Sequence, residues 1–204
     1  MRWVIKIGGS VMHNASTIMD ALSELKEEEE EILIIPGGGI FSDLVGMVYE
    51  VYGLDEETGH WMAILAMDQY GYFLARNKYK TTYEIDFKKG LTVLLPYRLL
   101  RETDPLPRNW NTTSDAIAAW ISYKYEARFV KVTDVDGIIF EGTLLPVVSA
   151  KDLIGKKTCL DPLTPEILVN TGLDCFVVNG NHEKRVKDYI LGKKVLGTLV
   201  RGGR

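Results

Sequence analysis

Val4-Ile5-Lys6-Ile7-Gly8-Gly9-Ser10 is the stretch on which the reading of this chain turns. Val4 to Ile7 form a short apolar strand with one lysine inside it, and an ammonium placed there costs stability unless an anion compensates it. Gly8 and Gly9 let backbone N–H groups approach a ligand closely, and Ser10 is placed to cap the helix expected from Ala15. Strand, glycine pair and helix N-terminus make a phosphate-binding arrangement that already holds a cation. The same residues also suit a plain tight turn, with Lys6 snorkelling from the end of a sheet.

Outward from this stretch, apolar runs of strand length alternate with helical patterns. Strands are expected at Arg2–Ile7, Ile32–Pro36, Leu91–Leu95, Phe129–Thr133, Cys175–Asn179 and Val195–Val200. Helices are expected at Ala15–Glu29, Phe41–Tyr52, Thr58–Lys78, Ser114–Tyr125, Pro165–Asn170 and Glu183–Leu191. The strands are nearly continuous in apolar residues, as they are when helices cover both sheet faces. That predicts an α/β fold, a three-layer α/β/α sandwich with a mostly parallel central sheet, in one domain spanning residues 1–204. The acidic run Glu27–Glu31 reads as a solvated helix end.

Four of these strands run directly into glycine or small polar residues: Gly8-Gly9-Ser10, Gly37-Gly38-Gly39, Asp134-Val135-Asp136-Gly137 and Asn179-Gly180-Asn181. In an open parallel sheet, ligands bind at the carboxyl ends of the strands, so all four loops are expected along one edge.

Bulk properties narrow the function classes. A net charge of −4 and a pI near 5.5 provide no basic field for nucleic acid. The most apolar stretch, Trp61 to Ala75, is broken by Asp68 and Gln69 and is too short to span a bilayer, so no membrane partner is expected. Cys159 and Cys175 lack metal-ligand spacing and the three histidines form no zinc signature. A reduced cytoplasmic protein acting on a small molecule is the expectation. Neither G-x-x-x-x-G-K-[ST] nor a strand-linked G-x-G-x-x-G is present, which disfavours P-loop and dinucleotide chemistry. Backbone phosphate cradles plus Lys6 suit phosphoryl transfer, which depends on positioning and charge and needs no nucleophilic side chain.

Asn111-Thr112-Thr113-Ser114-Asp115-Ala116-Ile117-Ala118-Ala119 opens a helix whose small residues permit close packing. Thr112 with Asp115 three residues on is a capping arrangement worth roughly 1 kcal/mol. Alternatively, Asn111 contacts a substrate oxygen and Asp115 orients a lysine ammonium. The spacing fits both.

With these pieces the chain resembles the amino acid kinase superfamily. The resemblance rests on Lys6-Ile7-Gly8-Gly9-Ser10, Pro36-Gly37-Gly38-Gly39, Asn111-x-x-x-Asp115-Ala116-x-Ala118-Ala119 and Lys131-Val132-Thr133-Asp134-Val135-Asp136-Gly137-Ile138, in family order. It implies ATP and Mg²⁺, with Lys6 neutralising the transferred phosphoryl group and Asp115 organising Lys6. It also implies that Gly8, Gly9 and Ser10 cradle the nucleotide phosphates and that Thr133, Asp134, Asp136 and Gly137 border the nucleoside. Gly37, Gly38, Gly39 and Asn111 would hold the acceptor. The family tends to homo-oligomers, dimers or larger.

The family commonly carries a second lysine in a Gly-Gly-Met-x-x-Lys stretch. The corresponding residues 158–165 here contain none, which leaves Lys156, Lys157 or the helix start at Thr164 as substitutes. The compact length, Asp161-Pro162-Leu163-Thr164-Pro165 and the helix from Trp61 to Tyr70 resemble a small branch of the family. That branch converts 5-(aminomethyl)furan-3-ylmethyl phosphate to its diphosphate in methanofuran biosynthesis, and Asp68 would then meet the acceptor ammonium or else stand as an exposed or helix-pairing residue. An acyl-phosphate-forming kinase of acetylglutamate type and a non-catalytic nucleotide- or oxyanion-binding protein are the competing readings.

Overall fold

The computed structural model describes residues 1–25 and 30–203. In chain order the strands are β1 (Arg2–Ile7), β2 (Glu31–Pro36), β3 (Lys80–Thr82), β4 (Gly90–Leu94), β5 (Arg128–Thr133), β6 (Ile139–Phe140), β7 (Thr143–Leu144), β8 (Val147–Ser149), β9 (Cys175–Asn179) and β10 (Thr198–Arg201). The helices are α1 (Ala15–Ser23), α2 (Gly39–Tyr52), α3 (Glu56–Ala75), α4 (Pro96–Thr103), α5 (Ser114–Lys124), α6 (Leu163–Thr171) and α7 (Glu183–Ile190). An eight-stranded sheet runs β3-β4-β2-β1-β5-β9-β10-β8, and β6 and β7 form a separate hairpin. Within the eight-stranded sheet pairing is parallel except between β9 and β10, and the hairpin is antiparallel. The α/β/α sandwich is as expected.

Period-two alternation divides the core between the two faces of the sheet. Val4, Leu33, Ile35, Phe129 and Val177 face one core, shared with Ile117 and Ile121 of α5 and Leu168 of α6. Trp3, Ile5, Ile7, Ile34, Val130 and Val132 face the other, with Ile18, Met19 and Leu22 of α1 and Val186 of α7. Helix α3 serves both cores, the first through Trp61, Ile64 and Met67 and the second through Tyr70 and Leu74. No helix among the described residues is long and apolar enough to cross a membrane.

Several local expectations need correction. Helix α1 ends at Ser23, whose hydroxyl donates back to the Asp20 carbonyl at 2.8 Å and competes with the helical ladder. Glu27 to Glu29 lie outside the described residues. Glu30 accepts from Trp3 Nε1 at 2.7 Å and Glu31 pairs with Arg2 at 3.2 Å, so these two acids tie down the sheet rather than idle in solvent. Ser10 does not cap α1. A 3₁₀ segment, Gly9–Asn14, intervenes, drawn onto the core by fully buried Val11. Thr113, not Thr112, caps α5, its hydroxyl accepting from the Asp115 amide at 3.3 Å, while the Thr112 hydroxyl donates to the Pro107 carbonyl. Helix α4 went unforeseen, although Pro96 at its start is a helix-opening signal.

Candidate active site

β2, β1, β5 and β9 are adjacent and parallel, so their glycine loops share one edge of the sheet. Three of the four loops extend the ladder of a neighbour. Gly8 donates to the Val132 carbonyl (3.0 Å), Gly37 to Ile7 (2.9 Å) and Gly180 to Thr133 (2.7 Å). The first two loops touch: a Cβ on Gly9 would lie 2.4 Å from the Gly39 Cα, and one on Gly38 would strike Ser42. Only glycines permit this approach. Tyr70 locks the arrangement from α3, donating to the Gly8 carbonyl at 3.2 Å. Neither the 3₁₀ segment after Gly8 nor α2 after Gly38 has a side-chain cap, so two sets of N-terminal amides lie open at this edge.

Beneath the loops lies a buried charge cluster. Lys6 and Lys131 are register partners on β1 and β5, and both project toward the face that α5 covers. Asp115, in the first turn of α5, is fully buried between them. Lys6 Nζ stands 2.9 Å from Asp115 Oδ1, a close ion pair rather than an aligned hydrogen bond. Lys131 donates to Asp115 Oδ2 and to the Cys159 carbonyl. The Asp161 amide also donates to Oδ2, at 3.3 Å. Burial alone would raise the Asp115 pKa, but Lys6 and Lys131 outweigh it and hold the carboxyl well below the usual carboxylate range. Burial likewise opposes the Lys131 ammonium, and Asp115 more than compensates, so its pKa is raised. Asp161, whose carboxylate accepts from the Thr113 hydroxyl, is pushed up by burial and by Asp115.

The expected site residues distribute as follows. Lys6, Asp115, Gly8, Gly9, Gly37, Gly38 and Gly39 converge at this edge. Buried Thr133 lies at the end of β5, its hydroxyl 3.2 Å from Asp134 Oδ1, and Ser10 is exposed on the 3₁₀ segment. Asp136 is tied to Asn179 (3.0 Å) and Arg185 (2.6 Å), which lower its pKa in that order. Gly137, at φ +147°, packs where a Cβ would strike Thr198. Beside it Ile138, Phe140, Leu145, Lys156 and Lys157 line a mainly apolar cavity of about 450 Å³. Asn111 is exposed in the loop before α5. A larger groove of about 950 Å³, by Arg128, Asp174 and Tyr189, opens where β5 and β9 begin, at the other end of the strands.

Asp68 takes a different position. It is half-buried and accepts the Tyr97 amide at 3.0 Å, capping α4 from across the fold, and burial raises its pKa to about 6. Because the folded-state pKa exceeds the unfolded value near 3.8, this group's contribution is greatest below pH 4 and is lost as pH rises to about 6. Asp68→Asn keeps the acceptor and removes the titration. The melting temperature of the variant relative to wild type is therefore expected to climb between pH 4 and 6 and then level off. Parallel melting curves across that range would exclude the buried titration.

Lys131, Asp161 and Tyr70 stand in stretches quoted above from the sequence, but none of them carried an expected role in the site. The Lys131 signal was the same as that of Lys6, a lysine alone in a buried strand.

Comparison with known proteins agrees with this geometry. The family model described as "Amino acid kinase family" matches residues 1–179. The chain is 34% identical over 211 residues to [5-(aminomethyl)furan-3-yl]methyl phosphate kinase of Methanocaldococcus jannaschii, covering 98% of this chain and 97% of that protein. It is 32% identical over 103 residues to acetylglutamate kinase of Kosmotoga olearia, covering 46% of this chain and 36% of that protein. Among solved structures, uridylate kinase from Archaeoglobus fulgidus superposes with a TM-score of 0.75 at 16% identity, covering 98% of this chain and all of that one. UMP kinase from Ureaplasma parvum gives 0.71 at 15% identity, covering 98% of each. The fold, the glycine-lined edge and the matched residues agree: the chain belongs to the amino acid kinase family.

Proposed function

We propose that this protein transfers the γ-phosphoryl group of ATP to a phosphomonoester, forming a diphosphate, with [5-(aminomethyl)furan-3-yl]methyl phosphate as the acceptor. The buried Lys6–Asp115–Lys131 cluster beneath two open sets of backbone amides supports phosphoryl transfer. The near full-length likeness to the furan phosphate kinase supports the acceptor. In this reading Lys6 balances charge on the transferred group, and Asp115 holds Lys6 in place. The Gly9 and Ser10 amides bind the nucleotide phosphates beside Gly8, whose own amide is spent on Val132. Gly38 and Gly39 with Asn111 bind the acceptor beside Gly37, whose amide is spent on Ile7. Thr133, Asp134, Asp136 and Gly137 border the nucleoside, beside the apolar cavity at Phe140. Mg²⁺ would be held largely by the nucleotide phosphates and water. Two free thiols, Cys159 and Cys175, suit a reducing cytoplasm.

Phosphorus NMR with Mg·ATP and a panel of acceptors tests this directly. The panel contains the furan phosphate, isopentenyl phosphate, uridylate and acetylglutamate. A new diphosphate signal with the furan phosphate alone is the expected result. A product trapped by hydroxylamine would instead favour acyl-phosphate formation, which the partial likeness to acetylglutamate kinase keeps in view. Asp68→Asn belongs in the same assay: a rise of about tenfold in acceptor KM assigns Asp68 to the acceptor ammonium, and an unchanged KM leaves it a helix cap.

The proposal extends to assembly with a second copy of the chain through α2. None of the fourteen residues of this helix is buried. Ile40, Leu44, Met47 and Val51 are 57–76% exposed, and their 4-3-4 spacing sets them in one stripe, with Asp43 and Glu50 off to the side. A standard interface removes roughly 800 Å² per partner, more than these four side chains supply alone, so the contact would take in surface beyond this stripe. Light scattering is expected to give a dimer or larger for the wild type and a monomer for Leu44→Asp/Met47→Glu. An unchanged mass for the variant would rule out α2 as the contact.

A further inference from the structure

Resting on the phosphoryl-transfer reading, we infer that Lys131 is a positioning residue that neutralises Asp115 so that Lys6 keeps its charge for the incoming phosphate. The observation is one of charge counting in a dry site. Asp115 is fully buried and carries one negative charge, and each of its oxygens faces a different ammonium. Lys6 and Asp115 alone would form a neutral pair with little attraction for an anion. Adding Lys131 gives the trio a net positive charge where charges are poorly screened, and the nearby Asp161 carboxyl, turned onto the Thr113 hydroxyl, has its own ionisation opposed by burial and by Asp115.

Geometry determines which lysine presents that charge. Lys131 is 4% exposed and spends two of its three donors on Asp115 and the Cys159 carbonyl. Lys6 is 7% exposed, has Asp115 as its one ion-pair partner among the described residues, and sits under the Gly8 loop. A Cβ on Gly8 would come within 3.5 Å of Lys6 Nζ, so the ammonium lies directly against the phosphate cradle. The neighbouring carboxyl of Asp161 is held by the Thr113 hydroxyl, and its amide adds a further donor to Asp115. The 158–165 stretch contributes no lysine, yet its Cys159 carbonyl orients one that arrives from β5. Exposed Lys156 and Lys157 border the apolar cavity instead.

A double-mutant cycle with Lys131→Met and Asp115→Asn separates this role from direct phosphate contact. The readouts are kcat with Mg·ATP and the furan phosphate, and the dissociation constant of inorganic pyrophosphate. Lys131→Met is expected to lower kcat by about 30-fold or more and to weaken pyrophosphate binding by about tenfold, because Lys6 then serves only Asp115. Lys131→Met/Asp115→Asn removes the acid that needed neutralising, and is expected to recover about tenfold of the pyrophosphate affinity. A double variant no better than Lys131→Met, or a Lys131→Met protein indistinguishable from wild type, overturns the inference. Should Lys131→Met not fold, the double variant is compared with wild type. Pyrophosphate binding within about tenfold of wild type upholds the neutralising role, and a loss of about 100-fold overturns it. A wild type that binds pyrophosphate but transfers nothing to any acceptor would defeat the kinase reading without touching this one.

Discussion

Lys6→Ala is expected to lower turnover by about 10²-fold or more while the protein stays folded. The size follows from the loss of one charge partner aimed at the transferred group in a water-poor site. Folding survives because Asp115 keeps Lys131 and the Asp161 amide, so no carboxylate is stranded. Steady-state rates with Mg·ATP and the acceptor, alongside a thermal melt, make the comparison. An unchanged kcat removes Lys6 from the reaction, and a collapsed melt makes it a structural residue first.

Asp115→Ala is expected to be worse on both counts. It leaves two ammonium groups buried side by side, and removing one member of a buried ion pair costs about 3–5 kcal/mol. That is a large part of the total stability of roughly 5–15 kcal/mol that a domain has. Denaturant midpoints are expected to fall steeply and phosphoryl transfer to vanish, whereas Asp115→Asn keeps the shape and part of the stability. The same cluster sets the acid limit of the wild type. The folded pKa of Asp115 is lowered below the unfolded value near 3.8, so its stabilisation is complete above about pH 4 and is lost progressively as pH falls. A midpoint for Asp115→Ala matching wild type at pH 7 would contradict the buried-pair account.

The fold was legible because β1, β2, β5 and β9 are apolar almost throughout, a pattern produced only by burial on both faces. The glycine loops were legible for a different reason: Gly9 and Gly39 sit in contact, and that contact tolerates no side chain. The outer strands were not. β3 is Lys80-Thr81-Thr82, an edge strand without an apolar face, and β8 is three residues long. Lys131 was hidden by its position within a motif read for its aspartates. Its partner across the sheet, Lys6, was visible because it opens the chain beside the glycines. The Asp161 role depends on Thr113 and Asp115, both distant in sequence, and no local pattern announces such a meeting. Asp68 was noticed for its charge within an apolar helix, and the structure gives it the amide of Tyr97.

The pairing of Lys6 with residues of β5 and α5 also bears on how the chain acquires its shape during synthesis. β1 and its neighbour β2 are close in sequence, yet the residues of β5 and α5 beside Lys6 lie beyond the middle of the sequence. A nascent chain that closed β1 onto β2 and covered it would enclose an ammonium with no counter-ion. Among the described residues the counter-ion comes from Asp115 alone, so full burial of Lys6 in the central sheet depends on a long-range contact with α5.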